Sequence, residues 1–329
     1  MRITVSLAKL LAALGAVVAA SAAWPQAAGY PNRLITVVVP FAAGGSVDTA
    51  ARIVTTKLAE QLKQTVIVEN VAGAAGTLGT HRVVRAPADG YTLLFAVATP
   101  INVAPVVRPA TVRYDALKDL QPVAQVAAST FVLVGRPTLE AADTAALMKH
   151  VREQPGKLNY GTDGVGGSMH LVVEMIKQKA GINVPHIPYK AGPQVLVEVA
   201  GGQLDLAMMP LALVQAFIKD GKVRAYGVTT RQRWSSLPNV PSLAEYPALK
   251  DLDESSWYGM LVPAKTDPVI VERLASELAK VAADPEVARK LVDAGLAPAP
   301  LATAAFVELL QRERKSIAAT VAAAGIKVE

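Results

Sequence analysis

The 329-residue chain contains no cysteine, and only 18% of its residues are charged. The missing cysteine excludes a disulfide scaffold, thiol catalysis and a lipid-anchored cysteine at a cleavage site. The net charge is +6, but the charges are dispersed without a Lys/Arg run, which argues against nucleic-acid binding. Trp24, Trp234 and Trp257 are too scattered to predict a sugar-stacking platform. A chain with these absences must be held together by its hydrophobic core.

Motifs for catalysis, metal binding and nucleotide binding are also missing. The sequence has no G-x-S-x-G elbow, no G-x-x-x-x-G-K-[ST] loop and no G-x-G-x-x-G fingerprint. None of the four histidines has H-E-x-x-H or another metal-binding spacing; they are His81, His150, His170 and His186. We therefore expect no metal, no cofactor and no enzymatic activity. A Ser/His/Asp triad assembled from distant residues stays open as an alternative.

The first residues have the pattern of an export signal. Arg2 and Lys9 form a basic start, residues 10–20 are apolar, and small residues follow in ASAAWPQAA. This pattern predicts a signal peptide over residues 1–28, cleaved after Ala22, Ala23 or Ala28. A membrane anchor is the alternative, but the run is short for a span of about 20 residues and no basic stop-transfer segment follows.

The remainder of the chain alternates between strand and helix patterns. Its length suits two domains, and a hydrophobic share of 52% is sufficient for large cores. Residues 35–39 form a β-branched apolar run, and residues 48–62 follow with helical spacing. Similar patterns predict strands at 123–126 and 131–135 and a helix at 138–154. The alternation predicts an α/β fold of parallel sheets with helices on both faces.

Two glycine-rich turns, PFAAGGSVDTA and YGTDGVGGSMHL, each lead from a predicted strand into a predicted helix. Glycine lets backbone N–H groups approach a ligand closely, and a helix N-terminus adds unpaired donors and a positive partial charge. Alone, either turn could be a simple connection in which Ser46 or Asp48 caps the helix. Because they lie about 120 residues apart, one in each predicted domain, together they predict a cleft that holds carboxylates. Each charge-assisted hydrogen bond there would contribute about 1.5–3 kcal/mol.

Several segments resemble one protein family, in the same order along the chain. They are PFAAGGSVDTAARIV, VIVENVAGAAGTLG, APADGYTLL, QPGKLNYGTDGVGGSMHL, HIPYKAG, GGQLD, GKVRAYGVTT and LPNVPSLAEY. The family is the substrate-binding proteins of tripartite tricarboxylate transporters, also called the Bug family. The likeness runs from about Tyr30 to the C-terminus.

The resemblance implies a periplasmic-binding-protein fold of type II-like form, with two α/β domains, a ligand cleft between them and two crossover segments. We expect domain 1 to comprise residues 29–128 and 253–329, and domain 2 residues 129–252. In this family a carboxylate is held largely through backbone amides and bridging waters. The matching ligand-binding positions are Phe41, Ala42, Gly44, Gly45, Ser46, Asp48, Gly161, Thr162, Gly164, Gly167, Ser168 and His170.

The resemblance also implies a periplasmic location and a role in transport. The expected partners are a small carboxylate, which could be a di- or tricarboxylate, an amino-acid-like acid or an aromatic acid, and the membrane permease components of a tripartite transporter. We expect a monomer. A ligand-sensing receptor for a signalling partner and an exported hydrolase are the alternatives.

Three segments depart from the family pattern. The chain has Tyr189-Lys190-Ala191-Gly192 where YKG is common, residues 99–103 read TPINV where an Asn-Pro pair is common, and residues 206–211 are unusually apolar. We interpret these differences as facing the cleft and tuning ligand choice toward a more hydrophobic or aromatic carboxylate. Met208 and Met209 are more consistent with a core position than with ligand contact.

Overall fold

The computed structural model describes residues 29–324 and shows alternating strands and helices. The expected signal peptide, residues 1–28, lies outside the described residues. The strands are β1 Ile35–Val39, β2 Val66–Asn70, β3 Thr92–Ala96, β4 Leu120–Gly135, β5 Tyr160–Thr162, β6 His186–Pro188, β7 Leu206–Pro210, β8 Arg224–Val228, β9 Ser255–Pro263 and β10 Ala297–Leu301. The helices are α1 Ser46–Leu62, α2 Thr77–Val84, α3 Ala104–Val107, α4 Ala116–Asp119, α5 Thr144–Glu153, α6 Ser168–Ala180, α7 Gly192–Ala200, α8 Leu211–Lys219, α9 Pro268–Ala283, α10 Pro285–Asp293 and α11 Thr303–Ala324.

The strands form one mixed sheet in the order β2-β1-β3-β9-β4-β7-β5-β6, with β8 and β10 also pairing with β4. β1 pairs in parallel with β2 and β3, and β5 pairs in parallel with β6 and β7. The central strands β4 and β9 pair antiparallel with each other and with their outer neighbours. The prediction of purely parallel sheets is therefore wrong at the centre, where the chain crosses between the two parallel parts.

Strand β4 joins the two ends of the sheet. Its residues 120–130 pair with β9, and its residues 131–135 pair with β7 and β8. The sequence predicts two separate strands here, which is wrong because residues 127–130 remain extended and paired with the start of β9. Small and hydroxyl residues carry no strong strand signal, yet the Ser129 hydroxyl donates to the Gly295 carbonyl oxygen at 3.1 Å and is buried.

The hydrophobic cores divide the molecule into two lobes. One large cluster is built from buried side chains between Phe131 and Leu252, and we call the elements around it the second lobe. Two other clusters are built mainly from residues 35–127 and 257–317, and we call their elements the first lobe. Leu171 of α6 joins a first-lobe cluster, so that helix packs against both lobes.

Local signals explain where some predicted bounds are wrong. Helix α5 begins at Thr144 rather than near 138, because the Asp143 side chain accepts from the Ala146 amide at 2.8 Å and caps it there. A wide helical turn, Thr99–Val103, continues into α3 although Pro100 and Pro105 interrupt the pattern. Strand β10 contains two prolines and was not predicted. Among residues 29–324, no helix is long and apolar enough to cross a membrane.

Candidate ligand-binding cleft

A cavity of about 440 Å³ lies between the two lobes, and its wall is built by both. Six of the twelve predicted site residues line it: Phe41, Ala42, Gly45, Ser46, Gly164 and Ser168. The other six do not line it: Gly44, Asp48, Gly161, Thr162, Gly167 and His170. The two glycine-rich turns therefore face one space, as the sequence predicts.

The first turn presents the N-terminus of α1 to the cavity. Gly45 is the N-cap residue, and no side chain caps the helix at this position. The first hydrogen bond of the helix runs from the Thr49 amide to the Gly45 carbonyl oxygen at 3.0 Å. The amides of Ser46 and Val47 precede that bond and so have no acceptor within the helix. Both residues line the cavity, where these amides and the helix dipole favour an anion.

Asp48 holds the first turn from behind rather than facing the cavity. Its carboxylate accepts from the Gly44 amide at 3.0 Å, from Arg52 Nε at 3.0 Å and from Asn70 Nδ2 at 3.0 Å. Burial works against ionisation of Asp48, but the hydrogen bonds from Arg52, Gly44 and Asn70 outweigh it and lower the pKa of the carboxyl. Gly44 has a φ of +78°, which side chains rarely adopt, so the turn at this point favours glycine.

The second turn presents the N-terminus of α6. Its N-cap, Gly167, also makes no side-chain cap, and the first helical bond is donated by the Leu171 amide to the Gly167 oxygen at 3.0 Å. The Ser168 amide instead donates to Thr99 Oγ1 of the first lobe at 3.2 Å, and the two hydroxyl groups are 2.8 Å apart. The Met169 amide precedes the first helical bond, and Met169 lines the cavity.

His170, Thr162 and Gly161 support the second turn from behind. His170 Nδ1 accepts from the Gly166 amide at 3.0 Å, and its ring stacks on His186 with centroids 4.2 Å apart. Thr162 Oγ1 lies 2.7 Å from His186 Nε2. Burial lowers the pKa of His170, and burial followed by the nearby His170 ring lowers that of His186 to about 4. A Cβ on Gly161 would lie 2.5 Å from Leu204 Cδ1, so a larger residue there would have to displace that side chain.

Two further helices of the second lobe also begin at the cavity wall. Ala191, Gly192 and Pro193 at the start of α7 line it, as do Pro210 and Leu213 at the start of α8. Helices α6, α7 and α8 follow strands β5, β6 and β7, whose carboxyl ends point to the same edge. Several helix N-termini therefore surround one space, which makes its potential positive.

The segments that depart from the family pattern reach the wall only in part. Thr99, Tyr189 and Pro210 line the cavity, whereas Met208 and Met209 are fully buried in the second-lobe core. The expected core position of the two methionines is confirmed.

The sequence analysis did not assign a third glycine-rich loop to the site. Residues 72–76 line the cavity, and Ala74 and Ala75 have positive φ angles of 49° and 55°. A Cβ on Gly76 would lie 3.1 Å from Phe41 Cζ, so this loop packs closely against the first turn. The GAAG pattern was a detectable signal, because glycine repeats at a strand–helix junction favour close backbone approach.

Three charged residues line the cavity: Arg108, Asp163 and Lys190. The sequence analysis places Lys190 in a segment that faces the cleft but assigns neither Arg108 nor Asp163 to the site. Burial lowers the pKa of Arg108, and burial raises the pKa of Asp163 to about 6. Two cations and one acid leave the side-chain charge of the wall positive, in agreement with the helix N-termini. Within residues 29–324, no cluster of three or more acidic or histidine side chains could hold a metal ion.

Comparison with known proteins gives a consistent result. The family model described as "Tripartite tricarboxylate transporter family receptor" matches residues 50–326. Protein BugT of Bordetella pertussis is 34% identical over 273 residues, which cover 81% of this chain and 82% of BugT.

Solved structures extend the similarity to the fold. The periplasmic binding protein BugD is 29% identical with a TM-score of 0.85, covering 91% of this chain and 100% of BugD. R. palustris Rpa4515 with adipate is 28% identical with a TM-score of 0.87, covering 91% of this chain and 99% of that one. MatC of Rhodopseudomonas palustris with bound malate is 27% identical with a TM-score of 0.82, covering 89% and 100%.

These matches confirm the predicted periplasmic-binding-protein fold with a cleft between two α/β lobes. The family consists of solute-binding receptors rather than enzymes. The chain belongs to the tripartite tricarboxylate transporter receptor family, which includes the Bug proteins.

Proposed function

We propose that this protein is a periplasmic receptor that captures a small carboxylate and delivers it to a tripartite tricarboxylate-type transporter. The observation that carries the proposal is the convergence of α1 from the first lobe and α6 from the second on one cavity. Their free amides and dipoles favour a carboxylate at the point where the lobes meet. The adipate and malate present in two similar structures support a ligand of this class.

A thermal-shift screen tests the ligand class. The purified mature protein is heated with adipate, malate, citrate, aspartate or benzoate, each beside its amide counterpart. A ligand at 100-fold over its dissociation constant adds about 2.7 kcal/mol of folding free energy. We expect at least one acid to raise the melting temperature and its amide to leave it unchanged. Equal shifts by an acid and its amide, or no shift by any acid, would contradict the proposal.

The same samples distinguish a receptor from an exported hydrolase or lyase. A receptor returns its ligand unchanged, so chromatography after prolonged incubation should recover the added acid quantitatively. Conversion of the acid into a product would instead indicate an enzyme.

We also propose that residues 1–28 direct export and are removed. Fractionation of cells that produce the full chain should place the protein in the periplasm, and N-terminal sequencing should begin between residues 23 and 29. A full-length N-terminus in the membrane fraction would indicate an anchor instead.

A reconstituted transport assay tests the delivery role. Vesicles that contain permease components encoded by neighbouring genes should take up the carboxylate only when this protein is added. Uptake without this protein would contradict the proposed delivery.

For the lobes, we propose the boundaries 29–128 plus 253–329 for domain 1 and 129–252 for domain 2. The division of the hydrophobic core near Phe131 and Leu252 supports them. We propose a monomer, which light scattering during gel filtration tests by the mass of the eluting species.

A further inference from the structure

Arg108 occupies a position in the cavity wall that differs from an ordinary surface arginine. It caps the C-terminus of α3 in the first lobe, and its Nη2 donates to the carbonyl oxygen of Val165 in the second. Its Nε is buried and has no hydrogen-bond partner in the described part of the chain. One N–H group of the guanidinium therefore donates to a neutral carbonyl oxygen, and the Nε donor has no acceptor.

No carboxylate compensates the charge of Arg108. Among residues 29–322 it forms no ion pair, and burial is the cause that lowers its pKa. Asp163 lines the same cavity but is not a salt-bridge partner of Arg108. A partly buried cation without a counter-ion is unfavourable, whereas a ligand carboxylate entering the cavity that Arg108 lines would supply the missing charge.

The segment that carries Arg108 is fixed in place by buried polar contacts. Asn102, fully buried, donates to the Leu310 carbonyl oxygen at 3.0 Å and to Glu313. Arg314 Nε donates to Asn102 Oδ1 at 3.1 Å, and the Tyr114 hydroxyl donates to the Pro100 oxygen at 2.6 Å. The guanidinium group therefore projects from a rigid support, so little ordering is needed when an anion binds.

We propose that Arg108 is a ligand-binding residue, which pairs its guanidinium group with the ligand carboxylate beside the N-terminus of α6. This inference rests on the proposed carboxylate receptor and adds a side-chain cation to the helix amides that the ligand would meet. The first lobe then contributes a formal charge and the second lobe contributes helix amides to the same anion. Arginine suits this role because its planar fork can donate two parallel hydrogen bonds to one carboxylate.

The test measures binding of adipate, malate and benzoate by calorimetry to the wild-type protein, Arg108→Met and Arg108→Lys. Arg113→Gln is the matched control, because it removes an exposed cation five residues away. We expect Arg108→Met to weaken binding of each acid that the wild type binds by about 10- to 100-fold. Arg108→Lys should recover part of that loss, and Arg113→Gln should bind like the wild type.

A second readout distinguishes pairing with the ligand from a structural contact with Val165. If Arg108 is an uncompensated cation, Arg108→Met should leave the melting temperature of the ligand-free protein unchanged or raise it. A lowered ligand-free melting temperature together with weaker binding would assign Arg108 a structural role and overturn the proposal. Unchanged binding by Arg108→Met would overturn it while leaving the carboxylate receptor intact. If the wild type binds none of the acids, both proposals fall.

Discussion

Replacing Gly45 with valine should weaken carboxylate binding while leaving the protein folded. Gly45 caps α1 at the cavity wall with φ −78°, a backbone conformation that any residue adopts. A Cβ added there would lie 3.4 Å from the Ala42 oxygen, an ordinary contact. The new side chain is therefore accommodated by the fold but blocks access to the amides of Ser46 and Val47.

The expected magnitudes separate binding from stability. Losing one charge-assisted hydrogen bond corresponds to about 1.5–3 kcal/mol, so the dissociation constant should rise by about 10- to 150-fold. Valine is a poorer N-cap than glycine, which should lower the free energy of unfolding by no more than about 1 kcal/mol. Calorimetry with an acid that passes the thermal-shift screen measures the first quantity, and urea unfolding measures the second.

Thr56→Val is the matched control for this experiment. Thr56 is exposed on the same helix and lies away from the cavity wall, so a valine there should leave affinity unchanged. An unaltered dissociation constant for Gly45→Val would refute the role of the α1 amides. A loss of unfolding free energy as large as the loss of binding free energy would show that valine had disturbed the helix cap rather than the contact with the ligand.

Four further predictions concern three single positions. Burial raises the pKa of Asp163 to about 6, so between about pH 4 and pH 6 the folded protein retains a proton that the unfolded chain releases. The stability of the protein should therefore fall as pH rises through this window. Asp163→Asn should flatten the profile of melting temperature against pH. The same ionisation places a negative charge beside the ligand, so carboxylate affinity should fall as pH rises through about 6 in the wild type but not in Asp163→Asn. Gly79→Ala should destabilise the protein by about 1–3 kcal/mol in urea, because its Cβ would lie 2.7 Å from the Val71 oxygen and 2.8 Å from Pro40 Cα; a stability equal to the wild type would show that the loop relaxes freely. Asn102→Ala should cost about 1–3 kcal/mol, because Arg314 Nε loses its acceptor and the Leu310 oxygen loses the Asn102 donor; an unchanged urea midpoint would contradict the proposed support of α3.

Local sequence signals were sufficient for the parallel parts of the fold. Ile35–Val39 is a run of β-branched residues followed by glycines and an apolar helical spacing, and β1, the turn and α1 appear accordingly. The second turn has the same pattern and the same structure before α6. Each of these strand–turn–helix units forms through interactions among neighbouring residues, so the local sequence is sufficient to predict it.

The central strand and the charged wall depend on contacts between distant residues. Residues 127–130 are extended because they pair with β9, more than 120 positions later in the chain. Arg108 follows a helical segment that contains two prolines, and only the folded structure shows that its guanidinium group contacts the Val165 carbonyl oxygen rather than a carboxylate. Six predicted residues do not line the cavity, because a glycine-rich motif contains positions that pack within the lobe as well as positions that face the ligand space.

The contacts across the cleft suggest why ligand binding and closure should be coupled. Thr99 accepts from the Ser168 amide, and Arg108 donates to the Val165 oxygen, so the lobes meet there through hydrogen bonds to neutral groups. A typical hydrogen bond between neutral groups contributes about 0.5–1.5 kcal/mol, which is comparable to the entropy of fixing the side chains that form it. Charge-assisted bonds from α1, α6 and Arg108 to one carboxylate would each contribute about 1.5–3 kcal/mol. A bound carboxylate would therefore contribute more to the contact between the lobes than either hydrogen bond to a neutral group.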